Sequence, residues 1–220
     1  MKTKQTIAVI GATGNMGSAI SRSIATGNYR LLLIGGKPEE AKALAKQIRK
    51  ENESADVEGI ECSVEATWEA DIIIAAVPYE AEKAVAEKIR EKANQKIVVS
   101  ISNPLNSTYD GLVTSPDISA AEELQKLLPN SKVVKAFNTT FAADFSTPVI
   151  EGKQVDAFIA GNDEEALKTV SELVGTAGFS PLIAGDLQVS RTLENMQLLL
   201  IQLGIKYNYN WLAGWKILHN

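Results

Sequence analysis

Three glycines near the start of the chain have the spacing of a turn that binds phosphate. Gly11, Gly14 and Gly17 follow the apolar run Ile-Ala-Val-Ile and precede a segment whose apolar residues recur every four positions. A strand, a glycine-rich turn and a helix in this order form the context of a dinucleotide-binding fingerprint. The first glycine permits a tight turn, the second lets the backbone approach a pyrophosphate, and the third lets the helix lie close to the strand. Because the helix N-terminus attracts anions, the turn predicts a nucleotide site to which Thr13 and Asn15 add side-chain donors.

The end of the second apolar run bears on which nucleotide binds. It reads Ile-Gly-Gly-Lys at 34–37 and has no Asp or Glu where an NAD site usually places an acid for the ribose 2′-hydroxyl. Lys37 lies just beyond the run, and the helix that Pro38 opens directs its positive end to the same place. A 2′-phosphate suits these surroundings, so the residues favour NADP over NAD.

Neutral side chains follow the later apolar runs. Val77 and Pro78 end one of them, Asn103 follows the next, and Asn138 follows the one after that. These positions fall at the carboxyl edge of a parallel sheet, where ligands bind. The single histidine, His219, is the penultimate residue, and neither a metal-ligand cluster nor a nucleophile–base pair is apparent. We therefore expect no metal and no catalytic residue, and direct hydride transfer between two bound cofactors that the protein orients.

Tyr79 and Lys83 form a Tyr-x-x-x-Lys pattern that resembles the signature of short-chain dehydrogenases. The pattern comes straight after the fourth predicted strand, whereas that family carries it on a later helix. We interpret it as coincidental and expect Lys83 to lie on a solvated face.

Composition narrows the class of protein. The chain of 220 residues has a net charge of −5, which leaves no basic surface for nucleic acid. The one cysteine, Cys62, rules out an intramolecular disulfide and fits a reducing compartment. The first strand begins within a few residues of the N-terminus, and no apolar run approaches the roughly 18 residues of a membrane span. We expect a cytoplasmic protein without a signal peptide or a membrane segment.

Strand and helix patterns alternate along the chain, which predicts an α/β fold with a Rossmann-like, doubly wound and mostly parallel sheet. We assign residues 1–186 to an NAD(P)-binding domain of this kind. The predicted strands lie at 7–10, 31–34, 57–62, 71–77, 96–101, 132–137, 155–160 and 181–183, and the predicted helices follow Met16 and Pro38 and lie at 81–92, 119–128 and 163–174.

The last part of the chain, residues 187–220, has a different character. Apolar residues from Leu187 to Gly204 recur at spacings of three and four and cover most sides of a helix, which therefore has to be buried. Trp211 and Trp215 lie in the aromatic stretch that follows. This tail can dock on its own sheet, form a dimer contact or line the active site. We expect it to pack on the sheet domain and to contribute to a homodimer.

The chain resembles the NADP oxidoreductases that depend on the deazaflavin coenzyme F420. Parts of it also resemble the cytoplasmic oxidoreductase domain of the STEAP metalloreductases, through Ser-Asn-Pro at 102–104, Val-Val-Lys-Ala-Phe-Asn at 133–138 and Ala-Gly-Asn-Asp at 160–163. The segments that carry the first resemblance are Gly-Ala-Thr-Gly-Asn-Met-Gly at 11–17, Ile-Gly-Gly-Lys at 34–37, Val-Pro-Tyr-Glu at 77–80, Lys-Ile-Val-Val-Ser at 96–100, Lys-Val-Val-Lys-Ala-Phe-Asn-Thr at 132–139 and Ala-Gly-Asp-Leu at 184–187.

This resemblance implies an NADPH site. The deazaflavin enzymes typically have Ser-Arg in place of Gly36-Lys37, which implies weaker phosphate binding here, and a histidine in place of Asn138. Together with the turn and loop residues above, the predicted cofactor-binding set is Gly11, Thr13, Gly14, Asn15, Met16, Gly36, Lys37, Val77, Pro78, Asn103, Asn138 and Ala142.

The function predicted from these features is hydride transfer between NADP(H) and a small-molecule acceptor, either F420 or a flavin such as FMN or FAD. One alternative is an NADPH-dependent imine or carbonyl reductase, which needs a proton donor such as Tyr79, Lys135 or a hydroxyl group. Another is a redox sensor that binds NADP(H) without turnover.

Overall fold

The computed structural model describes residues 4–219, which form one large sheet, a small hairpin and helices on both sides of the sheet. The strands are β1 (Gln5–Ile10), β2 (Tyr29–Ile34), β3 (Asp56–Gly59), β4 (Ile72–Ala75), β5 (Ile97–Ser100), β6 (Lys132–Lys135), β7 (Val149–Ile150), β8 (Lys153–Gln154), β9 (Asp156–Gly161) and β10 (Ser180–Gly185). The helices are α1 (Asn15–Ile24), α2 (Pro38–Glu51), α3 (Ser63–Glu69), α4 (Tyr79–Ile89), α5 (Ala120–Leu127), α6 (Glu164–Thr176) and α7 (Ser190–Tyr207), with 3₁₀ helices at Ala142–Phe145 and Leu187–Val189.

The large sheet has eight strands in the order β10-β9-β6-β5-β4-β1-β2-β3. All neighbouring pairs are parallel except β6 and β9, so β9 and β10 run opposite to the other six strands. The predicted doubly wound, mostly parallel sheet is confirmed. The chain leaves β1 for β2 on one side and later returns to place β4 on the other side. This reversal opens a crevice between the loops that follow β1 and β4.

The carboxyl ends of four central strands lie at one level. In the parallel register Ile10 is paired with Ala75, Ala75 with Ser100, and Ser100 with Lys135. The loops after β1, β4, β5 and β6 therefore all start from the same edge of the sheet. Residues far apart in the sequence meet there.

Side chains alternate across each strand, so the two faces of the sheet carry separate cores. On β1, Ile7 and Val9 join a core with α1, α2 and α6, whereas Ala8 and Ile10 join a core with α4 and α5. All four side chains are almost fully buried. Because both faces are covered, the central strands read as continuous apolar runs instead of alternating ones.

The structure departs from the sequence predictions at short elements. Helix α3 and the β7–β8 hairpin are absent from those predictions. Helix α3 has seven residues and buries only Ser63, Ala66 and Thr67. It therefore lacks the apolar stripe from which a helix can be predicted. The predicted strand at 57–62 spans only Asp56–Gly59, and the predicted helix at 81–92 begins earlier, at Tyr79.

The tail packs against the sheet through α7. Leu193 contacts the cluster that contains Phe158 of β9, and Leu200 and Ile201 pack with Phe141. The sequence prediction of a helix buried on most sides is wrong in detail, because Leu199, within the predicted helix, is about half exposed. The buried stripe instead includes polar residues, which apolar periodicity does not reveal: Ser190, Glu194 and Gln197. No helix within residues 4–219 is long and apolar enough to cross a membrane.

Candidate nucleotide-binding cleft

The glycine turn after β1 is fixed by the surrounding backbone. Gly11 has φ +87°, and a Cβ atom there would lie 2.2 Å from the carbonyl oxygen of Ala76. The amides of Gly11 and Ala12 both donate to the carbonyl oxygen of Ile34, each at 2.9 Å. At Gly17 a Cβ atom would lie 2.1 Å from the carbonyl oxygen of Gly11. Only glycine fits these two positions, so the turn is tight and α1 lies close to β1.

The N-terminus of α1 is free to bind an anion. Gly14 is the N-cap residue, no side chain caps the helix, and the first turn contains no acid. The first amides of a helix have no partner within the helix, and the helix dipole makes this end positive. Gly14 and Asn15 are exposed, while Thr13 and Met16 are half-buried. The turn therefore presents backbone donors to the crevice.

The loop after β2 lies beside this turn. At Gly35 a Cβ atom would lie 2.7 Å from the side chain of Thr13, whereas at Gly36 it would meet nothing within 4 Å. Lys37 is the N-cap residue of α2 and is three-quarters exposed, and its Nζ lies 3.1 Å from Oε1 of Glu40. The structure thus leaves open space at Gly36, with a cation next to it. We call residues 11–17 and 35–37 together the glycine side.

A cleft of about 300 Å³ extends from the glycine turn to the loops after β4 and β5. Six of the twelve predicted cofactor-binding residues line this cleft: Gly14, Asn15, Met16, Val77, Pro78 and Asn103. Ala142 lies elsewhere, in an open groove of about 600 Å³ along the other flank of α1, which it shares with Asn15. Gly36 and Lys37 lie outside both of these cavities.

Two asparagines join the loops that follow β5 and β6. Nδ2 of Asn103 donates to the carbonyl oxygen of Asn138 at 2.9 Å, and Nδ2 of Asn138 donates to Oδ1 of Asn103 at 3.0 Å. The chain turns sharply at Phe137, which has φ +60°. Asn138 is buried, and its Oδ1 has no hydrogen-bond partner among the described residues. We call residues 101–105 and 136–142 together the amide side.

Buried charged groups lie beneath the amide side. Lys135 is fully buried, and its Nζ donates to the carbonyl oxygen of Ser102 and, at 2.6 Å, to Oε1 of Glu194. Glu82 is also buried and accepts a hydrogen bond from Oγ of Ser100 at 3.2 Å. The sequence shows no nucleophile–base pair at this edge, and it also does not reveal that these charged groups gather beneath it. The residues come from α4, β6 and α7, and no local motif joins them. Glu194 in particular is a polar residue on the buried face of α7, which apolar periodicity does not reveal.

Burial alters the acidity of two groups near the cleft. Burial raises the pKa of the Glu82 carboxyl to about 7, although Lys135, Ser102 and Ser100 oppose this change. The pKa of Tyr79 is raised well above its ordinary value, first by burial and then by Glu123, whose Oε2 accepts the phenol hydrogen bond at 2.6 Å. Lys83 is exposed, as expected, so the Tyr-x-x-x-Lys pattern does not make a pair in which a lysine acidifies the phenol.

The described residues contain no group of three or more His, Cys, Asp or Glu side chains that could hold a metal ion. Apart from Tyr79, the side chains that line the 300 Å³ cleft are neutral and do not titrate. The site thus combines backbone donors for an anion at one end with amide and apolar groups at the other.

Comparisons with known proteins agree with this geometry. The family model described as "NADP oxidoreductase coenzyme F420-dependent" matches residues 6–104. Over 214 residues the chain is 37% identical to the F420-dependent NADP reductase of Methanocaldococcus jannaschii, covering 91% of this chain and 93% of that relative. It is 36% identical over 106 residues to the metalloreductase STEAP3 of Rattus norvegicus, covering 48% of this chain but only 21% of that relative.

A solved structure supports the same fold. A crystal structure from Arthrobacter sp. FB24 superposes with a TM-score of 0.83 and covers 98% of this chain and all of the other, at 24% sequence identity. At that identity the match bears on the fold alone, whereas the match to the M. jannaschii enzyme bears on the family. The chain belongs to the family of F420-dependent NADP reductases and is an NADP-dependent oxidoreductase.

Proposed function

We propose that this protein transfers hydride between NADP(H) and the deazaflavin F420. The observation that carries the proposal is the cleft itself, in which an uncapped helix N-terminus opens onto a pocket lined by neutral groups. The names of the relatives, which are F420-dependent NADP reductases, support F420 as the acceptor.

The residues present fit a bound NADP. In our proposal the amides from Thr13 to Met16 hold the pyrophosphate, with Gly11 forming the turn beneath them. Gly36 leaves room for the 2′-phosphate, and Lys37 and the N-terminus of α2 supply positive charge. Gly36, where a Cβ atom would meet nothing, is the kind of position at which a ligand can approach the backbone closely.

The nicotinamide end is assigned to the amide side. We propose that Val77, Pro78, Asn103, Asn138 and Ala142 surround the nicotinamide. The buried Oδ1 of Asn138 has no partner within residues 4–219 and suits the carboxamide N–H₂ group. Ala142 borders the groove on the far flank of α1, so it is assigned to this end on family resemblance alone.

The contribution of the chain is positioning. The bound nicotinamide supplies or accepts the hydride. The cleft residues would hold the nicotinamide and the acceptor ring next to each other and keep water from the transferred hydride. The proton that the reduced acceptor also takes up would come from solvent, so no side chain needs to supply it. Tyr79 is the one titratable group in the lining, and its hydroxyl already donates to Glu123.

The test is to oxidise NADPH without oxygen in the presence of F420, FMN or FAD, and to follow the absorbance of each acceptor. We expect turnover with F420 and a much lower kcat/KM with both flavins. A higher kcat/KM with FMN or FAD would replace F420 by a flavin, and NADPH binding without turnover would favour the redox sensor. Asn103→Ala should lower F420 turnover, while Ser107→Ala on the exposed part of the same loop serves as the control.

We also propose that residues 187–220 form an appendage to the nucleotide-binding domain of residues 1–186 and build a homodimer. The apolar side chains of Ile205, Tyr207 and Trp211 are each more than half exposed, and they lie close together in the sequence. Such a patch is typical of an interaction surface. Light scattering should report a dimer that Ile205→Asp dissociates and that Val113→Asp, at another exposed apolar position, leaves intact.

A further inference from the structure

A buried ion pair connects the tail to the amide side of the cleft. Nζ of Lys135 lies 2.6 Å from Oε1 of Glu194, and both side chains are fully buried. Oε2 of Glu194 accepts a hydrogen bond from the amide of Ala120, the first residue of α5, at 3.2 Å. Lys135 is the last residue of β6, and Glu194 lies in the second turn of α7. The pair therefore ties three elements together at the edge where the cleft begins.

The ammonium group also holds the backbone of a cleft loop. Besides its bond to Glu194, Nζ of Lys135 donates to the carbonyl oxygen of Ser102. Ser102 lines the cleft, and the next residue, Asn103, exchanges hydrogen bonds with Asn138. A hydrogen bond from a charged donor is stronger than one between neutral groups. The lysine thus fixes the peptide immediately before the asparagine that reaches across to the next loop.

A third element supports the same loop. Glu82 of α4 is buried near Lys135 and accepts from Ser100, two residues before Ser102. The start of α7 is held separately, because Nε and Nη2 of Arg191 form two hydrogen bonds, at 2.8 and 2.6 Å, with the Glu122 carboxylate of α5. Glu82 and Glu194 are therefore each held by a hydrogen bond from another element, and Lys135 is the charged group that donates to the loop backbone itself.

We propose that Lys135 is a positioning residue for hydride transfer, which holds the loop of Ser102 and Asn103 in place and makes its geometry depend on the docking of α7 through Glu194. The inference rests on the proposed location of the nicotinamide at the amide side. It assigns the tail a part in the reaction, although no residue of α7 lines the 300 Å³ cleft. Lys135 does not reach the reacting atoms in this scheme and acts only through the loop.

A purely structural role is the alternative, and it makes different predictions. Removing one partner of a buried ion pair is strongly destabilising, whereas replacing both by apolar residues is often neutral. A structural lysine is therefore dispensable once Glu194 is replaced as well. A positioning lysine is not, because the carbonyl oxygen of Ser102 still lacks its donor.

The test compares Lys135→Met with the double variant Lys135→Met/Glu194→Met. We expect the single variant to melt at a lower temperature and the double variant to recover most of that loss. Both should keep the KM for NADPH within about threefold, since the glycine side is untouched. Both should lose about tenfold to a hundredfold in kcat, the range expected when reacting groups are displaced by up to 1 Å. The control is Lys132→Met on the same strand, where the lysine pairs with Asp163 away from the loop.

Each outcome decides the question. A double variant with wild-type kcat would overturn the proposal and leave Lys135 with a structural role. If both Lys135 variants failed to fold, Glu194→Gln would decide, because it removes the charge and leaves the lysine on Ser102. In that case wild-type turnover and wild-type nicotinamide fluorescence in Glu194→Gln would show that the docking of α7 does not set the loop geometry, and a loss of turnover would support the proposal.

A second readout separates this inference from the proposed acceptor. The fluorescence of NADPH in the binary complex reports the surroundings of the nicotinamide without any acceptor. If the wild-type protein fails to reduce F420, the proposed function falls, but this comparison can still be made. A change of nicotinamide fluorescence in both Lys135 variants, and not in Lys132→Met, would support positioning. Identical fluorescence in all variants would contradict it.

Discussion

The two sides of the cleft are built in opposite ways. The glycine side consists of backbone, with neighbouring residues in sequence and close approaches that only glycine permits, at Gly11 and Gly17. The amide side consists of the loops after β5 and β6, which are held by side-chain hydrogen bonds to each other and by the buried pair of Lys135 and Glu194 beneath them. The glycine side is formed by short local segments with the exposed charge of Lys37 at its edge, whereas the amide side is assembled over long range around buried charge.

This difference explains which part of the site resists change and in what way. At Gly11 and Gly17 this backbone site is damaged by adding atoms, because neighbouring backbone already fills the space. A side-chain site is damaged by removing a partner, because a buried polar group is then left unsatisfied.

Adding one methyl group should break the glycine side. In Gly17→Ala the new Cβ atom would lie 2.1 Å from the carbonyl oxygen of Gly11, and backbone cannot move aside as a flexible side chain can. We expect a loss of about 3 kcal/mol or more in the free energy of unfolding. Chemical denaturation of the purified variant measures this loss. A variant that fails to fold would show that the loss exceeds the stability of the protein.

Gly14→Ala is the matched control within the same turn. Its Cβ atom would lie at an ordinary contact distance of 3.4 Å from the Gly11 carbonyl oxygen, so the fold should tolerate it. If the pyrophosphate binds there, NADPH affinity should nevertheless fall, because the backbone approaches the ligand at this position. Equal stability of the two alanine variants would contradict the steric account of this turn.

Replacing the buried carboxyl group of Glu82, beneath the amide side, should stabilise the folded protein above neutral pH. Burial raises the pKa of Glu82 from 4.5 to about 7. Between pH 4.5 and about pH 7 the folded protein therefore keeps a proton that the unfolded chain has already released. The contribution of Glu82 to stability is therefore complete below about pH 4.5 and falls as pH rises to about 7, by about 3 kcal/mol in total. Glu82→Gln, which cannot ionise, should remove this part of the decline and raise the melting temperature at about pH 8.

Asp144 has to be considered in the same experiment. Burial also raises the pKa of its carboxyl to about 7, although the amides of Phe141 and Ala213 oppose the shift, so its titration lowers stability over the same pH range. We therefore expect Glu82→Gln to leave a residual slope in the curve of stability against pH. Glu80→Gln, on the exposed face of the same helix, should leave the curve unchanged. A Glu82→Gln curve parallel to that of the wild type would refute the buried-carboxyl explanation.

The sequence predicted the glycine side well and the amide side poorly, for a physical reason. The run that ends in Gly11, Gly14 and Gly17 carries its strand, turn and helix in adjacent residues, so a pattern suffices. The helix of the tail could also be recognised, but not its buried stripe, because Glu194 and Gln197 are polar. Glu194 becomes a buried group only after α7 docks beside Lys135. No pattern within either segment encodes that contact.

Charge reversal at Lys37 tests the part of the glycine side next to the open space at Gly36. Lys37→Glu should lower the affinity for NADPH about tenfold more than the affinity for NADH. The difference arises because only NADPH carries the 2′-phosphate that the exposed lysine would face. Thermal shift with each cofactor measures the difference. Lys46→Glu, an exposed position on the same helix, controls for the general effect of charge. Equal losses for NADPH and NADH would show that Lys37 does not face the 2′-phosphate.

Tyr79 gives the smallest expected effect, and it separates positioning from proton transfer. Tyr79→Phe removes the phenol that donates to Oε2 of Glu123 at 2.6 Å, which should cost about 1 kcal/mol of stability. Turnover should change by less than about threefold, because burial and the nearby carboxylate raise the pKa of this phenol and oppose its ionisation near neutral pH. Lys83→Ala, at an exposed position, should be equally mild. A loss of about a thousandfold in kcat in Tyr79→Phe would instead identify the phenol as an acid, and it would revive the imine or carbonyl reductase, whose substrate needs a proton donor in the site.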